Sequence, residues 1–268
     1  MNKFNIDTLK NLIKSNFYLT IISDYFMSIS GWNFENEYEI ASYLDNNSPK
    51  ILDIGGHKGE SIKNFLRFKP SSFIISIEPN PILASKMKAK FKKNKKIKIL
   101  NGAASLKNSL TLYIPKIKLY QFTGLSSTSK ELTVDRLIHY FNFIGKKIEF
   151  ISYKVKGIKI DNLKEKPELI KIDTEGTEFE VLKSSISTLK KAKPILIIEF
   201  NRLFYKKINA FLANLGYKPY RYIKKGVAKK LNEDDFELIK QRKNLTNIVF
   251  IHKNHNILNK LTYSGVKY

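Results

Sequence analysis

Between residues 50 and 201, short apolar runs alternate with amphipathic stretches, and this alternation sets the expected architecture. The runs "KILDI" (50–54), "SFIISIEP" (72–79), "KIKILNGAAS" (96–105), "ELIKIDTEG" (168–176) and "PILIIEFN" (194–201) predict buried strands. Between them, Ile62, Phe65 and Leu66 share one helical face. Asn80 is placed to cap a helix that opens with Pro81 and carries Ile82, Leu83, Met87 and Phe91. A further helical face holds Phe179, Leu182, Ile186 and Leu189, and another helix is expected near 203–214. "GYKPYRYI" and "TNIVFIH" (246–252) predict a final pair of strands, antiparallel at the sheet edge. Strands alternating with helices through right-handed crossovers imply an α/β fold with a doubly wound sheet.

The flanks are less regular. Residues 1–48 predict an N-terminal helical extension, with Leu9, Leu12 and Ile13 on one face. Residues 49–253 form the main domain, and 254–268 a tail. Within the main domain, 109–163 reads as an insertion: "SLTLYIP" a strand, "GLSSTSK" a loop, "ELTVDRLIHYFNFIG" a helix and "KIEFISYKVKGI" one or two strands.

Composition narrows the chemistry. Hydrophobic residues make up 43% of the 268, with no apolar run of transmembrane length and no secretory signal pattern, so the cytoplasm is expected, at most at a membrane surface. The absence of cysteine removes disulfides, thiol nucleophiles and thiolate metal sites together. A net charge of +24 invites nucleic acid as a partner, but only five of the 48 basic residues are Arg. Lysine is spread along the chain, and the run at 86–98 reads as a solvated face, so nucleic acid is not the expected partner.

In an open α/β sheet, ligands bind beyond the carboxyl ends of the strands. There the chain places Asp53 with Gly55, Gly56 and Gly59, then Glu78, then Asn101–Ser105, then Asp173 and Glu175, and finally Glu199. The glycines let the backbone bend tightly beside a helix N-terminus that can meet an anion. Asp53 would oppose a pyrophosphate but welcome an ammonium, so a ligand carrying both a carboxylate and an amine fits, such as the methionine part of S-adenosylmethionine. Glu78 is placed to accept hydrogen bonds from two ribose hydroxyls.

The segments "LDIGGHKGE", "IEPNP", "NGAAS", "LIKIDTEGTEFEVLKS" and "PILIIEF" resemble the ordered motifs of FkbM-type methyltransferases, a branch of the class I S-adenosylmethionine-dependent enzymes. The resemblance covers roughly residues 50–200, and its fourth-strand block is the most specific part. It implies a Rossmann-like, mostly parallel seven-stranded sheet, S-adenosylmethionine as cofactor, and O-methylation of a sugar, glycan or other small molecule; the basic charge leaves an anionic acceptor open. On it, Asp53, Gly55, Gly56 and Gly59 fall in the methionine-binding turn, Glu78 at the ribose, and Ala103 and Ala104 near the adenine. Gly56-His57 replaces the small residue and asparagine usual in the turn, and Ser184 a common glycine.

Asp173 is the first candidate for a base or acceptor-orienting group, with Glu175 and Glu199 beside it. "TEFE" (177–180) also matches a capping box, in which Glu175 or Thr177 would serve the helix N-terminus. No metal is assigned, because no histidine pair has ligand spacing; a magnesium site of Asp173, Glu175 and Glu199 stays open, although a carboxylate cluster alone does not specify one. His139 reads as packed or surface, and His57 could touch the cofactor carboxylate. The alternatives are an RNA methyltransferase, although "DTEG" stands where base-amine enzymes often carry Asn/Asp-Pro-Pro-aromatic, and a noncatalytic binder on the same fold.

Overall fold

The computed structural model describes residues 35–117, 120–141, 148–232, 235 and 247–263. The helical signals around Leu9, Leu12 and Ile13 lie outside them. From the expected extension the described part is a 3-10 helix, Asn36–Tyr43, whose Tyr38 ring packs edge-on against Phe65 at 4.8 Å.

The strands are β1 (Lys50–Ile54), β2 (Phe73–Glu78), β3 (Ile97–Asn101), a two-residue β4 (Ala103–Ala104), then β5 (Ser109–Ile117), β6 (Tyr120–Gln121) and β7 (Glu149–Ile158) in the insertion. They continue as β8 (Leu169–Ile172), β9 (Ile195–Glu199), β10 (Tyr217–Lys224), β11 (Val227–Lys230), β12 (Asn247–His252) and β13 (Thr262–Tyr263). The helices are α1 (Glu60–Phe68), α2 (Pro81–Phe91), α3 (Lys130–Phe141), α4 (Glu178–Ser184), α5 (Ile186–Ala192) and α6 (Tyr205–Asn214). Asn80 caps α2 as expected, its Oδ1 accepting from the Ile82 amide at 3.0 Å.

The main sheet runs β13-β11-β10-β12-β9-β8-β1-β2-β3. Its β3-β2-β1-β8-β9 part is parallel, and every residue of β8 is buried, because helices cover both faces. On one face α1 and α2 pack with the 3-10 helix over Ile51, Ile74 and Leu169; on the other, α4, α5 and α6 pack over Leu52, Ile170 and Ile198. The fold class is the expected one, with a difference at the edge. The antiparallel β12 sits inside the sheet, between β9 and β10, and β11 and β13 extend it to nine strands.

The insertion builds a second sheet, β4-β7-β5-β6, around a small core of Ala103, Leu112, Ile114 and Val155. Connection order reverses between β1 and β8, which opens the crevice at their carboxyl ends. One row across this sheet is polar. Asp53 stands beside Ser76 on β2 and beside Lys171 on β8, on the face otherwise held by isoleucines.

Candidate active site

The turn after β1 is shaped by what lies behind it. Gly55 has φ +90°, and a Cβ there would fall 1.7 Å from the Asp173 carbonyl oxygen, because the turn crosses the end of β8. Gly56 has no room for a side chain either: its Cβ would meet Ser76 Oγ at 2.1 Å and Met87 Cε at 2.7 Å. His57 has φ +48°, a conformation that asparagine and histidine tolerate better than most residues, which accounts for histidine in the asparagine position of the related turn. Gly59, φ +81°, precedes α1 against the Phe91 ring.

The turn uses its own amides. Gly55 and Gly56 donate to the Ile77 carbonyl, Gly59 to that of Gly56, Lys58 to the Glu60 carboxylate and His57 to Glu78 Oε2 at 2.7 Å. The amides at the start of α1, rather than those of the turn, are left to meet an anion.

Asp53 is fully buried beneath the turn. Its Oδ2 accepts from Ser76 Oγ at 2.7 Å, while Oδ1 has no hydrogen-bond partner among the described residues. Burial pushes its pKa up, against the pull of Lys171. Asp53 therefore lies beneath the crevice and supports the turn through Ser76 rather than forming the wall. Glu78 does reach the crevice: Oε1 accepts from the Asn80 amide at 2.8 Å and Oε2 from His57. Burial pushes its pKa up to about 7, with those two amides and the more distant acids Asp53 and Asp173 as smaller influences. Ala103 and Ala104 line the crevice beyond it.

Across from the turn, Asp173, Glu175 and Glu199 each offer a carboxylate oxygen within 4.8 Å of the other two. These oxygens are close enough to share a cation, but a carboxylate cluster alone does not specify one. Among the described residues, the Lys171 ammonium supplies a counter-charge, 2.9 Å from Asp173 Oδ2. Burial pulls Lys171 down, but Asp173 first, then Tyr38, Asp53 and Glu35, hold its pKa well above the ordinary value.

The expected capping box is absent. Thr177 makes no side-chain cap, and the loop is instead tied by Glu178. Its Oε1 accepts from the Gly176 amide at 2.8 Å and from the amide and hydroxyl of Thr174 at 3.3 and 3.2 Å. That arrangement holds Glu175 at φ +56° beside the cavity.

Four contributors were not legible as site residues: Lys171, Glu178, Glu35 and Tyr38. Lys171 carried a signal, being a charge in an apolar strand two residues from Asp173 and therefore on its face. Glu35 comes from beyond the strand pattern, its Oε2 held at 2.9 Å by Asn247 of β12. The candidate histidines are otherwise employed: His252 and His255 accept backbone amides near the last strands, and the side chain of His139 lies outside the described residues.

Together these groups surround a cavity of about 500 Å³ that runs from the glycine turn to the three acids. The insertion closes it with Leu112 and the segment 120–128. His57 Nε2 meets Thr123 Oγ1 at 3.1 Å, joining the turn to that wall, and burial holds the ring's pKa below the usual histidine range. A crevice with a side-chain-free turn at one end and a ribose-competent acid in the middle fits the expected nucleoside cofactor.

Among solved structures, the FkbM methyltransferase of Methylobacillus flagellatus KT is similar at 15% identity and a TM-score of 0.49, over 92% of this chain and 59% of that one. This chain thus spans less than two thirds of that protein's length. A TehB-like S-adenosylmethionine-dependent methyltransferase of Corynebacterium glutamicum aligns at 10% identity and a TM-score of 0.45, over 88% and 96% of the two chains. A precorrin-6y C5,15-methyltransferase of Geobacter metallireducens aligns at 12% and 0.44, over 82% and 87%. No curated protein matches the chain. The model of the methyltransferase FkbM domain, however, matches residues 53–219, more than half of the sequence, and the chain accordingly belongs to the FkbM family of S-adenosylmethionine-dependent methyltransferases.

Proposed function

We propose that the protein is an O-methyltransferase acting on a hydroxyl of a sugar, glycan or other small polyhydroxylated molecule. The observation that carries this reading is the acid-lined cavity: Asp173, Glu175, Glu199 and Glu35 stand opposite the cofactor turn, with the hydroxyls of Thr123, Ser126, Ser127 and Thr128 on the facing wall. Carboxylates and hydroxyls pair well with sugar hydroxyls, whereas a phosphate backbone or an anionic acceptor would meet like charge. This lining favours a neutral acceptor despite the +24 charge of the chain.

When bound, S-adenosylmethionine supplies a methyl group already activated on a sulfonium. Gly55, Gly56 and Gly59 with the start of α1 hold its amino-acid end, Glu78 its ribose, and Ala103 and Ala104 the base. Asp173 orients the acceptor hydroxyl and takes its proton, while Glu175 and Glu199 hold neighbouring hydroxyls. Alignment of oriented reactants accounts for about 7–11 kcal/mol in favourable cases. A positioned base contributes roughly 10²–10⁴ in rate.

The test is transfer of labelled methyl from S-adenosylmethionine to a panel of sugars, with the product analysed. A methyl ether that survives mild base is expected, and Asp173→Asn should lower turnover about 10²-fold or more with S-adenosylhomocysteine affinity unchanged. A base-labile methyl ester, an N-methyl product, or full turnover in Asp173→Asn would overturn the reading.

A further inference from the structure

Helix α2 and the turn after it carry eight lysines between residues 86 and 98, and from Pro79 to Lys130 the chain has no Asp or Glu. Lysines elsewhere meet acids, as Lys50 meets Glu165, Lys183 meets Glu180 and Lys229 meets Asp235. Among the described residues, none of those eight makes an ion pair. Lysine runs are commonly solvated faces. This one differs in being uncompensated and in lying on one side of a well-packed helix.

Leu83, Ala84 and Met87 of α2 are buried, so Ile82, Lys86 and Ala89 follow one another along its outward line, with Lys93 exposed just past its end. Lys88 and Lys92 flank that line, also exposed. On the other flank the Lys90 ammonium donates to the Lys58 carbonyl at 2.7 Å, which joins the face to the start of α1. Burial and the nearby Lys63 ammonium pull the Lys90 pKa down, with Glu60 opposing. Lys58 and Lys63 are themselves exposed, so the basic face spans both helices. Crowding like charges is unfavourable, and contact with an anionic surface relieves it.

The make-up of the face selects the kind of surface. Readers of nucleic acid rely on Arg forks and stacking aromatics. Helix α2 has no Arg, and its one aromatic, Phe91, is turned inward against Gly59. What it does expose is Ile82, at 46%, on the same line as the lysines. A helix with several lysines outward and an apolar side chain among them suits lipid headgroups, the ammoniums at the anions and the apolar group between the chains. No helix among the described residues is long and apolar enough to cross a membrane, so contact of this kind is peripheral.

We propose that the outer face of α2, with Lys58 and Lys63 beside it, is a docking surface for an anionic lipid bilayer. Ile82 stands three residues from Pro79, which lines the cavity, so docking sets the mouth of the crevice beside the headgroups. The inference is independent of which residue takes the acceptor proton.

The test is co-sedimentation of the full chain with vesicles of phosphatidylcholine alone and with about 30% phosphatidylserine, at about 0.1 M salt. Binding to the anionic vesicles alone is expected. Each lysine held at such a surface contributes on the order of fivefold, so the triple variant Lys86→Gln/Lys90→Gln/Lys93→Gln should bind about 100-fold more weakly. Lys190→Gln/Lys191→Gln/Lys206→Gln removes the same charge from α5 and α6, on the opposite face of the sheet, and should lose less than about tenfold. Ile82→Ser should weaken vesicle binding about fivefold and leave binding of a single-stranded oligonucleotide unchanged.

If the α2 triple variant fails to fold by circular dichroism, Lys86→Ala/Lys93→Ala replaces it, with the Lys90 bond intact and a loss of about 25-fold expected. No binding to anionic vesicles, or equal losses in the two triple variants, would overturn the proposal. So would wild-type vesicle binding by Ile82→Ser together with loss of oligonucleotide binding in the α2 variant, which would assign the face to nucleic acid.

Discussion

Gly56→Ala is a small change with a large expected effect. The new Cβ would lie 2.1 Å from Ser76 Oγ, 2.7 Å from Met87 Cε and 3.1 Å from Asp53 Oδ2. The methionine terminus can move aside. Ser76 cannot without giving up its 2.7 Å bond to Asp53, a fully buried carboxylate whose other oxygen has no hydrogen-bond partner among the described residues. Overpacking costs about 1–3 kcal/mol, and unmaking a hydrogen bond to a buried carboxyl group about 1–3 more, so a loss of roughly 2–6 kcal/mol is expected. Urea unfolding without cofactor measures it. Ser76→Ala removes the obstacle as well as the bond, so the double variant should be less destabilised than the sum of the singles by about 1–3 kcal/mol. A Gly56→Ala protein within about 0.5 kcal/mol of wild type, or strict additivity with Ser76→Ala, would refute the packing argument.

Glu78 and Glu178 give two further tests. Burial pushes both Glu78 and Glu37 up to about 7, above the 4.5 of an unfolded chain, so the folded state binds extra protons between those values and stability falls as pH rises through that window. Ionised Glu78 is also the better acceptor for ribose hydroxyls, so S-adenosylhomocysteine affinity should rise with pH toward about 7, by at most about tenfold per unit, and level off above it. Calorimetry on Glu78→Gln should show weaker, flatter binding; an unchanged slope would remove Glu78 from the ribose site. Glu178→Ala strips three hydrogen bonds from the loop that carries Glu175 and should cost about 2–4 kcal/mol in denaturant unfolding. A loss under about 0.5 kcal/mol would mean that the loop holds itself.

The parallel part of the sheet was readable because its information is local. Runs such as "FIISIE" and "ILIIE" are apolar on both faces, which only a strand covered on both sides tolerates, and each ends in the polar residue that reaches the crevice. The contacts that set the turn were not readable. Glycine at 56 is explained by Ser76 one strand away and Met87 on the next helix, and nothing in "DIGGHKGE" points to either. The loop after β8 misled for a related reason. "TEFE" has the spacing of a capping box, but Glu178 finds three donors in the preceding loop, and those stronger local bonds set the course of the chain instead. The strand order at the far edge was hidden because two antiparallel strands can exchange places without altering either one's pattern.

The chain's overall charge and the site's charge have opposite signs, and the difference bears on the acceptor. Lysines on the exposed side of α2 and elsewhere create a basic exterior, yet the cavity is lined by Glu35, Glu78, Asp173, Glu175 and Glu199, with Lys171 buried against Asp173. On the proposed reading, a polyanion drawn to the exterior would meet like charge at the cavity, so affinity for nucleic acid alone would not identify it as the acceptor; methyl transfer to it would. What the cavity adds to the family domain comes from two places outside the parallel sheet: Glu35, held by Asn247 of β12, and the 120–128 segment, joined to the turn through His57 and Thr123. On the proposed reading the cofactor end is built from residues within 53–219, while one side of the acceptor end depends on Glu35, held by Asn247 from beyond both limits. Acceptor preference should therefore respond to Glu35 and Asn247 more strongly than cofactor affinity does.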